Sequence, residues 1–320
     1  MMRRNGLLLT ALAVLITVTG CRTATSPEVT DEWWDASAAE LLEWTADDPA
    51  FEQIMALEGS GLTVRDGILY AVSEKYARLL RIDSETLEVE VDRLDVPIHT
   101  ELEGITLAGD EAFMCDEAHA AVYRVALDAI GRGGDAPVTE LSIVGAEIEG
   151  GKEGLEGLTA VDGRSDLFYL LLERSGNEAT GCRSTIFPLR RVGDEMVVRG
   201  DPLIAELEDC NWRLTGLFWW KGRLLGLKTR YPGPQRYEVV VVDPETGELT
   251  KVLDATDLLV AVPDDGWTNN VEGIAVDDEG ALWLLGDNAV TGVIDDPAPP
   301  RARQKTLLVK LPPTAAAPLR

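Results

Sequence analysis

The residues that could do chemistry are glutamates that recur along the chain in one short pattern. Glu103, Glu156 and Glu272 are each followed by Gly and then by Leu or Ile, where an apolar stretch begins. Two further copies of the pattern carry Ser60 and Thr215 in place of the acid. Glutamate oxygens bind hard cations such as Ca2+ and can also transfer protons. These side chains would therefore form a site if the fold brought them together.

The spacing of the pattern indicates which elements must position these side chains. The glycines of the five copies lie 43, 53, 59 and 57 residues apart. Each copy opens a first strand, and turn residues separate it from further short apolar runs, which is typical of four antiparallel strands. Second strands are predicted at 68–73, 112–116, 167–172, 223–227 and 281–286. Third strands are predicted at 77–82, 121–125, 185–189, 238–242 and 306–311, and fourth strands at 88–94 and 249–253.

A four-stranded sheet of this kind cannot bury both of its faces alone and must stack against copies of itself. The sequence therefore predicts an all-β protein, a β-propeller of five four-stranded blades. A sixth, degenerate blade between Cys182 and Glu208 is the alternative. The last copy supplies only three strands before Pro312, so we expect an N-terminal strand at 53–57 to provide the fourth and close the ring.

In a propeller, the first strand of each blade lines the axis and runs antiparallel to the second. The start of one and the end of the other therefore lie on the same face. The predicted second-strand ends carry the acids Glu74, Glu117, Glu173 and Asp287. With the three repeat glutamates they predict a metal site of seven carboxylates, which raise one another's pKa unless a cation neutralises them. We expect that cation to be Ca2+. The other predicted ligand-binding residues are Ser60, Thr215, Asn270, Asn288 and Arg174.

Basic side chains near the same positions offer an alternative without a ligand. The strand starts and strand ends that carry these acids would form the mouth of the propeller's central channel. Four basic residues lie next to them in the sequence and are able to neutralise the acids in structural ion pairs: Lys75, Arg174, Arg213 and Arg230. Position in a repeat concentrates charged groups without showing that their oxygens converge on one point. The sequence leaves both interpretations open.

The charge of the chain excludes some classes of partner. Lys and Arg total 29 against 56 Asp and Glu, which gives a formal net charge of −27. Phosphate backbones and anionic lipid headgroups are bound through clustered basic residues, and no such cluster is visible. We therefore expect no nucleic acid partner. The 30 glycines, 16 prolines and 45% hydrophobic residues fit a folded chain that is rich in turns.

The N-terminal segment has the pattern of an export signal. Arg3 and Arg4 precede an apolar stretch at 7–18 that is too short to span a bilayer. The sequence Val18-Thr19-Gly20-Cys21 looks like a bacterial lipobox, which makes Cys21 the predicted lipid acceptor, whereas ordinary secretion is the alternative. Arg22 in place of Asp after the Cys predicts an outer-membrane lipoprotein that faces the periplasm.

These observations predict a domain organisation for the whole chain. Residues 1–20 are the predicted signal peptide, and 21–50 an acidic tether with one helix-like stretch at 36–44. Residues 51–312 are the predicted propeller domain, and 313–320 a disordered tail. We expect the protein to be a monomer.

The remaining cysteines fit an oxidising compartment. Cys182 and Cys210 both lie in polar, loop-like sequence and are predicted to form a disulfide. Cys115 lies in an apolar run and is predicted to be a buried free thiol. A zinc knuckle is excluded because the chain contains no Cys-x-x-Cys pair and its only histidines are His99 and His119.

Several of these motifs together resemble a known family. They are Leu57-Glu58-Gly59-Ser60-Gly61-Leu62-Thr63, Leu69-Tyr70-Ala71-Val72-Ser73-Glu74, Leu102-Glu103-Gly104-Ile105, Cys115-Asp116-Glu117, Gly154-Leu155-Glu156-Gly157-Leu158, Leu171-Leu172-Glu173-Arg174 and Asn270-Val271-Glu272-Gly273-Ile274. Residues 57–311 are similar in these motifs to the SdiA-regulated family and to the related family named esterase-like activity of phytase. The resemblance implies an exported propeller in which Glu103, Glu156 and Glu272 match the repeat acids of the family.

Two functions from different classes follow. In the first, the protein is a lipid-anchored binding propeller whose acidic mouth takes a cation or a small ligand and whose rim meets another envelope protein. In the second, it is a metal-dependent hydrolase of phosphoesters, esters or lactones, in which Ca2+ acts as a Lewis acid and one repeat glutamate as a base. Ser60 and Thr215 interrupt the ring of acids, and no cluster of Lys, Arg and His suited to polyphosphate accompanies them.

Overall fold

The computed structural model describes residues 32–48, 57–148, 150, 154–261, 270–287 and 305–319. β-Strands dominate these ranges, and the all-β class predicted from the sequence is confirmed. The helices described are one α-helix, α1 (Thr256–Val260), and the 3-10 helices Ala36–Ala38, Leu127–Ala129 and Val161–Gly163. Among the described residues, no helix has the length and hydropathy needed to cross a membrane.

Each sequence repeat folds into consecutive antiparallel strands. The first strands are β2 (Gly59–Arg65), β6 (Leu102–Ala108), β11 (Leu155–Ala160), β16 (Trp212–Trp220) and β20 (Asn270–Val276). The second strands are β3 (Ile68–Ser73), β7 (Glu111–Asp116), β12 (Leu167–Leu172), β17 (Arg223–Arg230) and β21 (Leu282–Asp287). The third strands are β4 (Arg78–Asp83), β8 (Ala121–Ala126), β13 (Arg183–Val192), β18 (Arg236–Val242) and β22 (Lys305–Leu311). The outer strands are β1 (Glu40–Thr45), β5 (Val89–Asp95), β9 (Asp135–Pro137), β10 (Thr139–Val144), β14 (Glu195–Val198), β15 (Leu203–Glu206) and β19 (Leu249–Asp254).

Burial decreases from the first strand of a repeat to the outer strand. Every residue of β6 is buried, whereas only Leu94 is buried in β5. Five clusters of buried apolar side chains lie between neighbouring repeats, and the cluster that packs Leu62 against Trp283 joins the first repeat to the last. Stacked sheets that bury their faces against one another in this way are consistent with a β-propeller.

The repeat glycines bring the first strands together around one axis. A β-carbon built on Gly104 would lie 2.5 Å from the Leu158 nitrogen, and one on Gly216 would lie 2.6 Å from the Glu272 carbonyl oxygen. A β-carbon on Gly273 would lie 2.9 Å from that of Leu62, which returns the series to the first repeat. Real β-carbons do not approach backbone atoms this closely, so glycine is required where these strands meet.

We expect Gly104→Ala to destabilise the protein by about 3 kcal/mol, because the three atoms closest to the new methyl group all belong to the backbone of the next first strand. Gly59→Ala is the matched control, since its β-carbon would meet only the Leu285 side chain at 3.5 Å and the Gly286 oxygen at 3.7 Å. Urea unfolding of both variants measures the difference. Equal midpoints for the two would contradict close packing at the repeat glycines.

The ends of the chain differ from the predicted organisation. The outer strand beside β22 is β1, in which Glu40 pairs with Lys310 and Trp44 with Thr306, so an N-terminal strand does complete the last sheet. The strand predicted at 53–57 lies outside the described residues except for Leu57. The helix-like conformation predicted for 36–44 was wrong for most of this stretch. Ala36–Ala38 form a 3-10 helix, but Glu40–Thr45 form strand β1, because pairing with the exposed edge of β22 overrides the local preference of these residues for helix.

The predicted tether and tail also need correction where they are described. Trp34 is fully buried and forms a β-bridge with Pro313, and the Thr314 amide donates to the Trp33 carbonyl. Ala317 is buried in the same apolar cluster. The two ends of the described chain therefore pack together on the fold, since the Trp33 and Trp34 rings bury more apolar area there than they would in a solvated tether.

Short parallel strands link neighbouring outer strands. β9 pairs with β5, and β14 pairs with β10 through Ser142 and Glu195. The second and third repeats therefore share one sheet of nine strands, while β15 pairs with β13. The segment between Cys182 and Glu208, where a sixth blade was the alternative, belongs to this shared sheet.

Candidate functional site

A β-bulge interrupts every first strand at the repeat motif. The pairing register shifts between Leu155 and Gly157, between Leu214 and Gly216, and between Val271 and Gly273. β2 and β6 have the same irregularity at their repeat residues. A bulge places an extra residue opposite one partner and re-aims its side chain. The bulged residues include Glu156 and Glu272, which lie beside the axis for this reason.

The three repeat glutamates are brought together at this axis. The exposed fractions of Glu103, Glu156 and Glu272 are 3%, 7% and 7%. Glu156 and Glu272 line a cavity of about 10 Å3 together with four of the repeat glycines, Gly61, Gly104, Gly157 and Gly216. A space of that size holds about one water molecule. The axis is therefore too narrow at the level of these glycines for a ligand larger than a water molecule.

Burial raises the pKa of Glu103 and Glu156 well above the ordinary value for a carboxyl group. Repulsion adds to this effect, from Glu156 and Glu272 on Glu103, and from Glu173 and Glu272 on Glu156. In the described structure, no basic side chain lies within ion-pairing distance of Glu103 or Glu156. These two carboxylates are the least compensated of the group.

Arg213 neutralises one side of the mouth. Its guanidinium pairs with Glu173, lies 3.5 Å from a Glu272 oxygen and donates to the Asn270 side-chain oxygen at 3.2 Å. The Asn270 amide donates in turn to Glu272 at 2.5 Å. Burial raises the pKa of Glu272 to about 7 and the Glu173 charge adds to the rise, while Arg213 opposes it. Glu272 therefore titrates near neutral pH.

Lys75 neutralises the opposite side. Its ammonium group pairs with Glu74, lies 3.1 Å from Glu101 and lies 3.7 Å from Glu58. Burial raises the pKa of Glu58. Glu58 and Glu101 are site residues that were not predicted from the sequence. Glu58 lies two residues before Ser60, as Arg213 lies two before Thr215, so alignment of the residues ahead of each motif would have found it.

The other predicted acids lie at the same face in varied settings. Glu117 accepts a hydrogen bond from the Gly154 amide at 2.8 Å, and its pKa is raised by burial. Asp287 is 6% exposed and lies directly opposite Asn270 in the strand pairing. Glu173 is 2% exposed. Asn288 lies outside the described residues.

The predicted hydroxyl ligands take part in contacts between first strands. The Ser60 hydroxyl donates to the Glu103 carbonyl oxygen at 3.0 Å, and the Thr215 hydroxyl donates to the Val271 carbonyl oxygen at 3.4 Å. Each contact joins one repeat to the next. At the rim, the Arg174 guanidinium donates to the Tyr231 carbonyl oxygen at 3.0 Å.

A disulfide lies beside the Arg213 side of the mouth. Cys182 and Cys210 are joined, with their α-carbons 4.8 Å apart. The bridge connects the loop before β13 to the loop that enters β16, three residues before Arg213. Cys115 is a fully buried free thiol whose sulfur accepts a hydrogen bond from the Gly104 amide at 3.1 Å.

The spacing of the acids bears on the kind of ligand. Among the described residues, no group of three or more His, Cys, Asp or Glu side chains has the arrangement of a metal site. The carboxylates are close enough to raise one another's pKa, but in this geometry they are not gathered around a single point. A bound cation would have to draw them inward, or would have to be large enough to reach several of them.

Comparison with known proteins identifies a fold. No protein-family model matches the chain, and no curated protein sequence matches it. The structure is similar to a glutaminyl cyclase from Myxococcus xanthus, with a TM-score of 0.51 at 16% identity over 86% of this chain and 97% of that one. The structure is also similar to a GH43 glycoside hydrolase, with a TM-score of 0.50 at 13% identity over 85% of this chain and 52% of that one. A gluconolactonase from Xanthomonas campestris has a TM-score of 0.45 at 13% identity over 93% and 99% of the two chains.

Identities this low carry information about the fold alone. The comparisons therefore support a β-propeller-like architecture and leave activity to be argued from the site. The resemblance to the SdiA-regulated and phytase-related families stays a prediction.

Proposed function

We propose that the protein is a binding propeller whose acidic mouth takes a small cation. The observation that carries the proposal is the group formed by Glu103, Glu156 and Glu272, three buried carboxylates of which only Glu272 lies within ion-pairing distance of a guanidinium in the described structure. Like charges held together away from water repel one another, and a bound cation relieves that repulsion. Lys75 and Arg213 lie on either side of the group and leave its centre to the ligand.

Two kinds of cation fit this chemistry. Ca2+ accepts six to eight oxygen ligands in flexible geometry, so it is the metal ion to test first. A ligand with an ammonium group can bind carboxylates that do not converge on one point, which suits described residues that form no metal-ion cluster. Mg2+ requires near-ideal octahedral geometry and suits the site less well.

Thermal unfolding with increasing CaCl2 or ethanolamine hydrochloride tests the proposal. A cation present at 100 times its dissociation constant adds about 2.7 kcal/mol, which raises the midpoint by about 5–10 °C. We expect a larger rise at pH 8 than at pH 6, because the cation binds ionised carboxylates and Glu272 has a pKa of about 7. NaCl at equal ionic strength is the control. No rise at pH 8 with either cation would overturn the proposal.

A metal-dependent hydrolase is the second candidate. The observation that favours it is Glu272, since a general acid or base works best when its pKa lies near the working pH. In this role Glu272 would move the proton while the cation polarised a phosphoester, ester or lactone. Assays of the Ca2+-loaded protein with p-nitrophenyl phosphate, p-nitrophenyl acetate and a lactone separate the two candidates. Turnover that Glu272→Gln abolishes supports the hydrolase.

We further propose that the sheets are five blades of a monomeric propeller in the SdiA-regulated and phytase-related families. The five glycine contacts and the five apolar clusters between repeats support this count.

We propose that Cys21 carries a lipid anchor in the bacterial outer membrane, facing the periplasm. The lipobox and the Cys182–Cys210 disulfide, which needs an oxidising compartment, support this location. Mass spectrometry of the mature N-terminus tests it.

A further inference from the structure

The two basic side chains of the axial mouth are each shared by more than one carboxylate. Lys75 lies within ion-pairing distance of three acids, and Arg213 within that distance of two. The acids are Glu58, Glu74 and Glu101 around Lys75, and Glu173 and Glu272 around Arg213. A lysine or an arginine carries a single positive charge, so both sides of the mouth stay negative when their acids are ionised.

In the order of the repeats, a third group of acids lies between these two sides. It consists of Glu103, Glu117 and Glu156, whose exposed fractions are 3%, 8% and 7%. None of the three lies within ion-pairing distance of a lysine or arginine in the described structure. Glu117 accepts a hydrogen bond from the Gly154 amide at 2.8 Å. The mouth therefore has three neighbouring groups of acids, each with fewer positive charges than carboxylates.

The Glu156 carboxylate has no hydrogen-bond partner. It is buried, and none of the hydrogen bonds and ion pairs within the described part of the chain involves its side chain. Glu156 also lines the axial cavity, and burial and the nearby charges of Glu173 and Glu272 raise its pKa. A buried carboxyl group without a partner is costly, because nothing replaces the hydrogen bonds to water that it loses on folding. A donor group of a bound ligand would restore them.

The arrangement of the acids suits several positive charges better than one. The described acids form no cluster that could hold a metal ion. A single ammonium group would neutralise one group of acids and leave the other two unchanged. In a linear polyamine, ammonium groups separated by three or four methylene groups can each donate hydrogen bonds to a different group of carboxylates. Linked contacts also reinforce one another, because the second forms within the complex that the first has made.

We propose that the mouth binds a linear aliphatic polyamine, with one ammonium group on Glu103 and Glu156 and another on the acids around Lys75 or Arg213. This inference rests on the proposed function, because it names the class of cation that the same mouth takes. The methylene chain between the ammonium groups needs no partner of its own, since its length serves only to span neighbouring groups of acids.

Isothermal titration calorimetry at pH 8 tests the number of ammonium groups. The probes are butylamine, putrescine and spermidine, which carry one, two and three of them. About 0.15 M NaCl screens diffuse attraction to the acidic surface. We expect spermidine to bind one-to-one and at least about tenfold more tightly than butylamine, with putrescine between the two. Equal affinities for the three amines would overturn the inference.

Substitutions that change the net charge equally locate the site. Glu156→Gln should weaken spermidine binding at least about fivefold, and Glu103→Gln from the same group should act in the same way. Glu140→Gln is the matched control at an exposed position on β10, and it should change the affinity less than about twofold. Equal weakening by all three variants would show that spermidine binds the acidic surface and not the mouth, and the inference would fail.

Failure of this inference can be told apart from failure of the proposed function. If CaCl2 or ethanolamine raises the unfolding midpoint while spermidine binds no more tightly than butylamine, the mouth takes a cation but not a polyamine. If none of the amines binds and CaCl2 gives no rise, both the inference and the proposed function are overturned.

Discussion

Glu156→Gln should raise the unfolding midpoint of the cation-free protein at pH 8 by about 4 °C. Glu156 is buried beside Glu173 and Glu272, and their repulsion is only partly offset by Arg213, which lies beyond ion-pairing distance of Glu156 in the described structure. Repulsion between unit charges several ångströms apart in a protein is on the order of 2 kcal/mol, and glutamine removes it with almost no change of shape. A rise of this size corresponds to about 1–2 kcal/mol in a domain of this length.

The pH dependence identifies the cause of this gain. The pKa of Glu156 is raised in the folded state, so the unfolded chain releases its proton at a lower pH. The wild type therefore loses stability as the pH rises above about 4.5, until the folded carboxyl has also ionised. Glutamine does not titrate, so the advantage of the variant should be small at pH 4 and largest at pH 8.

Glu140→Gln is the control for net charge, because Glu140 is exposed on β10. It should leave the midpoint within about 1 °C at both pH values. Differential scanning calorimetry at pH 4 and pH 8 provides the measurement. A Glu156→Gln variant that is less stable than the wild type at pH 8 would show that the carboxylate has a counter-charge, and the proposed cation site would lose its main support.

Arg213→Met should cause the largest loss of stability among these variants. Arg213 pairs with Glu173 and lies 3.5 Å from Glu272, both of which are buried. Removing one partner of a buried ion pair leaves an uncompensated charge and costs about 3–5 kcal/mol. The midpoint should fall by about 6–20 °C at pH 8. The loss should be smaller near pH 5, where Glu272 is protonated.

A second substitution separates charge from packing. Arg213→Met with Glu173→Gln removes both members of the pair and should recover a large part of the lost stability. Arg236→Met is the control on β18 of the same sheet, where the side chain is exposed, and it should change the midpoint little. If the double variant is no more stable than Arg213→Met alone, the arginine acts through its packing and not through neutralisation of the mouth.

The central part of the fold was predictable because its signal is local and repeated. Two second strands, β3 and β12, begin and end where the sequence placed them, and the other three are offset by one residue or extended. The β-carbon distances explain why Gly follows each repeat residue, since the first strands approach one another too closely there for a side chain. Apolar runs bounded by turn residues suffice for such elements, since each strand pairs with its neighbour in the chain.

The ends of the chain could not be predicted in the same way. β1 pairs with β22 from the opposite end of the chain, and its own sequence favours helix. The sequence of residues 36–44 contains no sign that the unpaired edge of β22 lies beside them in the fold. Lys75 and Arg213 were recognised as basic residues near the mouth, but only their distances show which acids each one neutralises.

The sequence by itself determined the all-β class, the repeat and the acids that the repeat places at one end of the axis. The tertiary structure decided that Glu103 and Glu156 lie beyond ion-pairing distance of Lys75 and Arg213, while Glu272 shares Arg213 with Glu173. The reason is that charge balance and cavities depend on side chains from distant repeats. Their separation is set by how the sheets stack, and no single repeat encodes it.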